Sequence, residues 1–280
     1  MASLLELATQ TENFDIIKFV SVNGDNITEH SLNDAIRTGN LDVIKFITNN
    51  GGLLHERSLN YAILTKDLKV INYVLELEAK INYDGDNNTL NTAIRTKDLD
   101  IIKYVLNLKA IIDCPFSGTL VGKLFNTALL TKDFNVIKYV VELGGTINEG
   151  SLNIAIRTEN LDIVKFVVEL GGKIDDHSLF CSVSTGELEI VKYVVSLGGT
   201  INSKHILNYA IEIGNFMIKY IVSLGGTINE KSLYYAIQQG GNIEIVNYVL
   251  KLGGTIDEQS LNRALRFHNE EIINLIKEYQ

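Results

Sequence analysis

The chain has 280 residues, 46% hydrophobic and 21% charged, with a net charge of -9. That balance excludes a disordered chain, and the acidic sum argues against a nucleic-acid partner, because phosphate binding needs a basic face that outweighs the overall repulsion. Two cysteines, Cys114 and Cys181, and the single proline, Pro115, exclude a disulfide framework and most loop-rich folds.

The N-terminal stretch MASLLELATQTENF has no basic start and only a short apolar run, so neither a signal peptide nor an anchor is expected. No apolar run approaches the roughly 18 residues that span a bilayer. A cytoplasmic, intracellular protein with no membrane partner is expected. From Ala8 onward one pattern restarts along the chain. Its small central residue falls at Ala8, Ala35, Ala62, Ala93, Ala128, Ala155, Ser182, Ala210, Ala236 and Ala264. Seven of the nine intervals are within one residue of 27, and the others are 31 (Ala62 to Ala93) and 35 (Ala93 to Ala128). The two long intervals predict longer connections at about 82–89 and 111–123, the second holding Pro115. Ten units account for nearly the whole of residues 1–280, predicting a single repeat domain.

Each unit reads as two short helices, such as SLNIAIRT (Ser151 to Thr158) and LDIVKFVVEL (Leu161 to Leu170). In the second, Leu161, Val164 and Val168 lie on one helical face. Five residues after the small residue stands Asn or Asp, at Asn13, Asn40, Asp67, Asp98, Asp133, Asn160, Asn215 and Asn269. These are predicted N-caps of the second helix. Gly39, Gly186, Gly214 and Gly240 precede this position in four units and predict a left-handed turn; Lys66, Lys97, Lys132 and Glu159 must adopt it at some cost. Gly-Gly pairs, from Gly51-Gly52 to Gly253-Gly254, end the second helices. One such pair cannot bury its apolar face unaided, so the fold class expected is all-α, a solenoid of about ten stacked helix-turn-helix units.

GNLDVIKFI (Gly39 to Ile47), GELEIVKYVV (Gly186 to Val195), LGGTIN (Leu143 to Asn148) and SLNIAI (Ser151 to Ile156) resemble, in that order within the unit, the segments of ankyrin repeats. The resemblance covers about residues 4 to 280. The 27-residue unit is shorter than the family's 33, and the missing residues fall where the family builds its projecting β-hairpin. Asn replaces the family's His at Asn33, Asn60, Asn91, Asn126, Asn153, Asn208 and Asn262; a structural asparagine ladder bridging the backbone of neighbouring turns is expected. The compact unit and the wealth of Ile, Asn, Lys and Tyr are similar to ankyrin-type proteins of large DNA viruses, which would place the protein in a host cell.

Signals for chemistry are sparse. GTLVGK (Gly118 to Lys123) is one residue short of a phosphate loop and lacks the Ser or Thr after its lysine. His30, His177 and His205 share one repeat position, too far apart for a zinc site. The acids Glu29, Glu56, Glu149, Asp176, Glu230 and Glu258 form a column suited to helix N-termini. Lys18, Lys45, Lys103, Lys138, Lys165, Lys192 and Lys219 form a basic column expected to be salt-bridged and solvated. Cys181 has no partner base. No cofactor, metal site or catalytic residue is expected.

By the ankyrin resemblance, the concave face carries the positions one before, two after and three after the small residue, and the first two differ from unit to unit. Tyr and Arg there suit interface hot spots. The predicted contact residues are Tyr209, Tyr234, Tyr235, Arg263, Arg266, Arg157 and Gln238, with Phe267 beside them. The expected function is a monomeric, non-catalytic adaptor that binds a protein partner. The alternative is a substrate-receptor or regulatory subunit of an enzyme assembly such as a ubiquitin ligase.

Overall fold

A computed structural model describes residues 7, 8, 11, 13–22, 27, 30–80, 88–110, 118–201, 205–238 and 242–280. All regular elements among them are helices, nineteen in number, and none of these is long and apolar enough to cross a membrane. The chain divides into two compact units, Met1–Thr146 and Ile147–Gln280. The first holds α1 (Phe14–Val22), α2 (Ser31–Arg37), α3 (Leu41–Asn49), α4 (Ser58–Leu64), α5 (Leu68–Glu76), α6 (Thr89–Arg95), α7 (Leu99–Ala110), α8 (Gly118–Leu130) and α9 (Phe134–Glu142). The second holds α10 (Ser151–Ile156), α11 (Leu161–Glu169), α12 (Ser178–Thr185), α13 (Leu188–Ser196), α14 (Ile206–Ile213), α15 (Asn215–Ser223), α16 (Ser232–Gln238), α17 (Ile243–Lys251), α18 (Glu258–Arg266) and α19 (Glu270–Glu278).

Within each unit the chain forms helical hairpins whose first helices stack in sequence order. α2 packs on α4, α4 on α6 and α6 on α8; in the second unit α10, α12, α14, α16 and α18 follow the same rule. The small residue explains this closeness. All ten markers, from Ala8 to Ala264, are buried. Around most of them Leu at three before and Ile or Val at one after are also buried, as in Leu152 and Ile156. The second helix contributes Ile163, Val164 and Val167 of α11, each worth roughly 1.5–3 kcal/mol when fully buried. Its buried stripe is therefore centred one residue away from the predicted face, since Leu161 and Val168 are only half-buried.

The expected connection at 111–123 is shorter than the sequence suggests, because residues 118–123 already belong to α8. Pro115 precedes that helix, and the following run to Leu130 has no proline to break it. Residues 81–87 and 111–117, the rest of both connections, lie outside the described residues.

The turn between hairpin helices follows one chemical scheme. Thr38, Thr65, Thr96, Thr131 and Thr158 each donate a hydroxyl hydrogen bond to the marker's carbonyl at 2.6–2.7 Å. Each hydroxyl also accepts the N–H of the following cap residue, as in Asn40 N–H to Thr38 Oγ1 at 3.1 Å. The cap then accepts backbone N–H groups of the second helix: Asn40 Oδ1 takes those of Asp42 and Val43 at 3.0 and 3.3 Å. Asn13, Asp67, Asp98, Asp133, Asn160 and Asn269 cap likewise. Asn215 does not. α14 runs on to Ile213, so the turn shrinks to Gly214 and Asn215 becomes the first helical residue. One unit later, an extra residue moves the cap to Asn242. Lys66, Lys97, Lys132 and Glu159 have φ between 58° and 62°, as the turn requires, and Gly39 and Gly186 lie at 69° and 79°. Gly214, at φ 129° and ψ -176°, leaves the left-handed helical region, and Gly240 lies outside the described residues.

The Gly-Gly pairs divide their work. The first glycine takes positive φ, as Gly171 does at 97°. The second turns its N–H back to a helix carbonyl, Gly172 to Val167 at 2.9 Å. A Cβ on Gly172 would stand 2.8 Å from that same oxygen.

At three rungs the asparagine ladder runs through serine hydroxyls. Ser58 Oγ donates to Asn33 Oδ1 at 2.7 Å, Ser178 Oγ to Asn153 Oδ1 at 2.8 Å, and Ser232 Oγ to Asn208 Oδ1 at 2.9 Å. The same oxygens accept loop N–H groups from His55, Asp175 and Asn229. The reason is reach: each serine opens the next hairpin's first helix, between the asparagine and the loop backbone. Asn262, in the last hairpin, is exposed. At one rung the network includes a charge. Asp175 accepts from Asn153 Nδ2 at 2.7 Å, from His177 N–H at 2.8 Å and from Ser178 Oγ at 3.0 Å. Burial is the largest single influence and pushes its pKa up. The Asn153 amide, the His177 N–H, the Ser178 hydroxyl and the nearby His177 charge together outweigh it and hold the carboxyl below 3.8.

Two predictions test this scheme by urea denaturation. Lys97→Gly should raise stability by roughly 1 kcal/mol by relieving positive φ, and Gly172→Ala should lower it by roughly 1–3 kcal/mol through backbone overlap; a lower midpoint for Lys97→Gly would contradict the strain argument. Because the folded pKa of Asp175 is depressed, its stabilisation is complete above the unfolded value and disappears as pH falls from 3.8 through the folded value. Asp175→Asn should therefore lower stability at neutral pH, where that stabilisation is complete, and flatten the acid limb of the stability profile; an unchanged acid limb would show that the network does not hold the charged form.

Candidate functional site

The first helices bury an arc that leaves its opposite side to solvent. Successive residues turn by about 100°. With the marker at 0°, the buried Leu and Ile positions span one side, and the positions one before and two after the marker point the other way. The structure follows this. Arg37, Leu64, Arg95, Leu130, Arg157, Ser184 and Arg266, each two after the marker, are exposed, and Glu212 and Gln238 are half-buried. The column one before is mixed: Tyr209 is 39% exposed, Tyr61, Tyr235 and Arg263 are half-buried, and Thr92, Thr127 and Cys181 are buried.

The two columns interlock between consecutive hairpins. The Arg37 guanidinium lies 4.1 Å from the centroid of the Tyr61 ring and pairs with Asp34 at 3.3 Å. Arg157 Nη2 approaches Cys181 Sγ at 3.7 Å. An arginine at two after thus reaches the residue one before in the next hairpin, Arg37 by cation–π contact and Arg157 through a sulfur acceptor.

Three of the predicted contact residues come together near the C-terminus. The Tyr234 and Tyr235 rings meet at 5.7 Å. Arg263 Cζ stands 5.5 Å from the Tyr234 ring and 5.1 Å from the Phe267 ring. Its Nε is buried and has no hydrogen-bond partner among the described residues. Phe267 remains 45% exposed. Tyr209 belongs to a different pair, packing edge-on against Phe180 at 4.7 Å. The sequence reading missed Phe180. Its signal was available, since Phe180 stands where other units have the ladder asparagine, just as Tyr234 does. Arg266 and Gln238 have no ring contact or hydrogen bond to this cluster among the described residues.

The basic column on the second helices departs from expectation. Lys192 pairs with Glu189 at 2.7 Å. Lys45, Lys103 and Lys165 instead reach aromatic rings of the following hairpin, Tyr73, Tyr139 and Tyr193, at 5.7, 5.7 and 6.0 Å. Lys18 and Lys138 lie over Phe14 and Phe134 in their own helices. An exposed ion pair gains little against solvent and side-chain entropy, whereas a half-buried ring is already ordered and attracts the ammonium.

The remaining signals find structural places. Residues 118–123 form the first turns of α8, not a loop around phosphate. His30, His177 and His205 occupy N-cap positions without capping by their side chains. No group of three or more His, Cys, Asp or Glu gathers as metal ligands among the described residues. Two surface depressions have volumes of about 390 Å³. One is lined by Asn148, Glu149, Lys173 and Asp175, the other by Glu187, Glu189, Phe216 and Met217. Neither set pairs a nucleophile with a base.

The sequence matches no protein-family model and no curated protein. Among solved structures it is similar to the crystal structure of the human ASB11 ankyrin repeat domain, at 20% identity over 62% of this chain and 86% of that chain, with a TM-score of 0.45.

The Phe180–Tyr209 contact should contribute a coupling of about 0.5–1.5 kcal/mol. A double-mutant cycle with Phe180→Ala and Tyr209→Ala, read by denaturant unfolding, measures it directly. Additive single effects would mean that Tyr209 is not held by this ring.

Proposed function

We propose that the chain is a non-catalytic protein-binding module whose partner lies on the solvent side of the first helices. One observation carries the reading: the position two after the marker is exposed or half-exposed in all nine units from Arg37 to Arg266, while its chemistry changes from unit to unit. A repeated backbone with a varied outward row suits recognition of an extended partner surface. A reaction centre would need one singular constellation. Within the second unit, Tyr209, Tyr235, Arg157, Gln238 and Arg266 are the proposed contacts. Tyr234 packs against Tyr235, and Arg263 lies beside the Tyr234 ring. Tyr and Arg offer large contact area with few freely rotating bonds left to order.

Affinity capture with the full chain tests the reading. Two face variants are compared with the parent, one carrying Arg95→Glu and Leu130→Ser, the other Tyr209→Ser and Arg266→Glu; Lys219→Glu on a second helix serves as control. The expected result is a protein recovered by the parent and the control and lost from at least one face variant with the melting temperature largely kept. Equal recovery by all four proteins would remove this face from consideration. Ligase subunits in the captured set would select the receptor role, and turnover in a hydrolase or nucleotide-binding screen would overturn the non-catalytic part.

A further inference from the structure

The outward row differs in kind between the two units. In the first unit it reads Arg37, Leu64, Arg95, Leu130, one residue from each of four consecutive first helices, α2, α4, α6 and α8. Leu64 is 53% exposed and Leu130 68% exposed. In the second unit the same position holds Arg157, Ser184, Glu212, Gln238 and Arg266, with no apolar residue. The arginines suit the negative ends of their helices. Leucines gain nothing there from water, and Leu64 and Leu130 stand on either side of Arg95 in the row. Arg37 is also pre-set. Its side chain is 55% exposed, pairs with Asp34 through Nη1 at 3.3 Å and lies over Tyr61 at 4.1 Å, so the guanidinium is held in place with further N–H donors left for an acceptor. Lys66 and Lys97 flank the row at exposed hairpin turns, next to Asp67 and Asp98, whose carboxylates already accept helix N–H groups. The row itself thus holds two arginines, two leucines and no acid, on a chain whose net charge is -9.

Resting on the binding reading above, we propose that this row docks an acidic segment in which a carboxylate and an apolar side chain alternate at every third residue. The charge follows from complementarity with Arg37 and Arg95, and the apolar residues from Leu64 and Leu130. The period follows from geometry. Packed helices stand ~8–10 Å apart. A polyproline II segment places same-side residues about 9 Å apart, one turn of three residues. A β-strand places them about 6.7 Å apart and falls out of step within two hairpins.

The labelled peptide EPQLPQEPQL, titrated against the full chain by fluorescence anisotropy, tests this. Its control is the same composition without the period, EEPPPQQQLL. The periodic probe should bind about tenfold tighter than the control and weaken as salt is raised. Arg95→Glu, and separately Leu64→Ser with Leu130→Ser, should each weaken it about five- to tenfold, whereas Arg157→Glu and Arg266→Glu should leave it unchanged. All these side chains are solvent-facing, and melting curves verify that the variants fold. Equal binding of the two peptides, or equal loss with the second-unit substitutions, overturns the proposal. If the probe fails while a captured protein is still released by Arg95→Glu, the face binds protein and only the partner chemistry assigned here is wrong. If that release also fails, the binding reading falls for this unit too.

Discussion

The close approach of first helices at a small side chain governs the rest of this structure. At each of the ten markers a methyl group, or in Ser182 a hydroxymethyl, sits buried between neighbouring helices. Anything larger would push the hairpins apart and open the contacts of the flanking Leu and Ile residues. Because a hairpin has no core of its own, its stability depends on its neighbours. The spacing of every outward side chain is fixed by the same contact, so packing and recognition share one cause.

Tight stacking leaves little room for unsatisfied polar groups, and the turns answer with short local bonds. The threonine hydroxyl serves the end of one helix and the start of the next, and the Asn or Asp cap continues the chain of acceptors. This order is held even where the sequence opposes it. Lys66, Lys97, Lys132 and Glu159 take a backbone shape that glycine would adopt more easily. The surrounding bonds over-determine the turn, so the strain persists. The serine–asparagine relay plays the same part between hairpins, joining a helix of one to the loop of the next.

The two faces of the stack use their charges differently. On the second helices, lysines settle over rings of the next hairpin and become part of the stacking. On the first helices, Arg37 lies over Tyr61 of the next hairpin and pairs with Asp34 while its side chain stays exposed. The aromatic residues near the C-terminus are partly committed to one another, as Arg263 lies over both Tyr234 and Phe267. Side chains that hold each other in place are less free to rearrange, and the exposed edges of Tyr209 and Phe267 are correspondingly pre-ordered for contact.

Much of the architecture was legible in the sequence. The interval of 27 located the hairpins, the small residue located the buried contact, and cap residues located the second helices, because these are local rules that recur unchanged. The misplaced cap at Asn215 shows their limit: a helix that runs one turn position further shortens the turn, and only backbone geometry reveals it. The start of α8 at Gly118 was hidden for a similar reason, since an insertion carries no period to read. Partner choice among side chains was least legible. Sequence neighbours suggested that lysines would pair with acids. Stacking instead brought residues 24 to 36 positions apart into contact, as with Lys165 and Tyr193 or Arg37 and Tyr61. The sequence by itself thus determined the repeat, its elements and its buried positions, which follow from periodicity and local bonding. Only the tertiary structure decided which rings, hydroxyls and charges meet, because those contacts arise between hairpins.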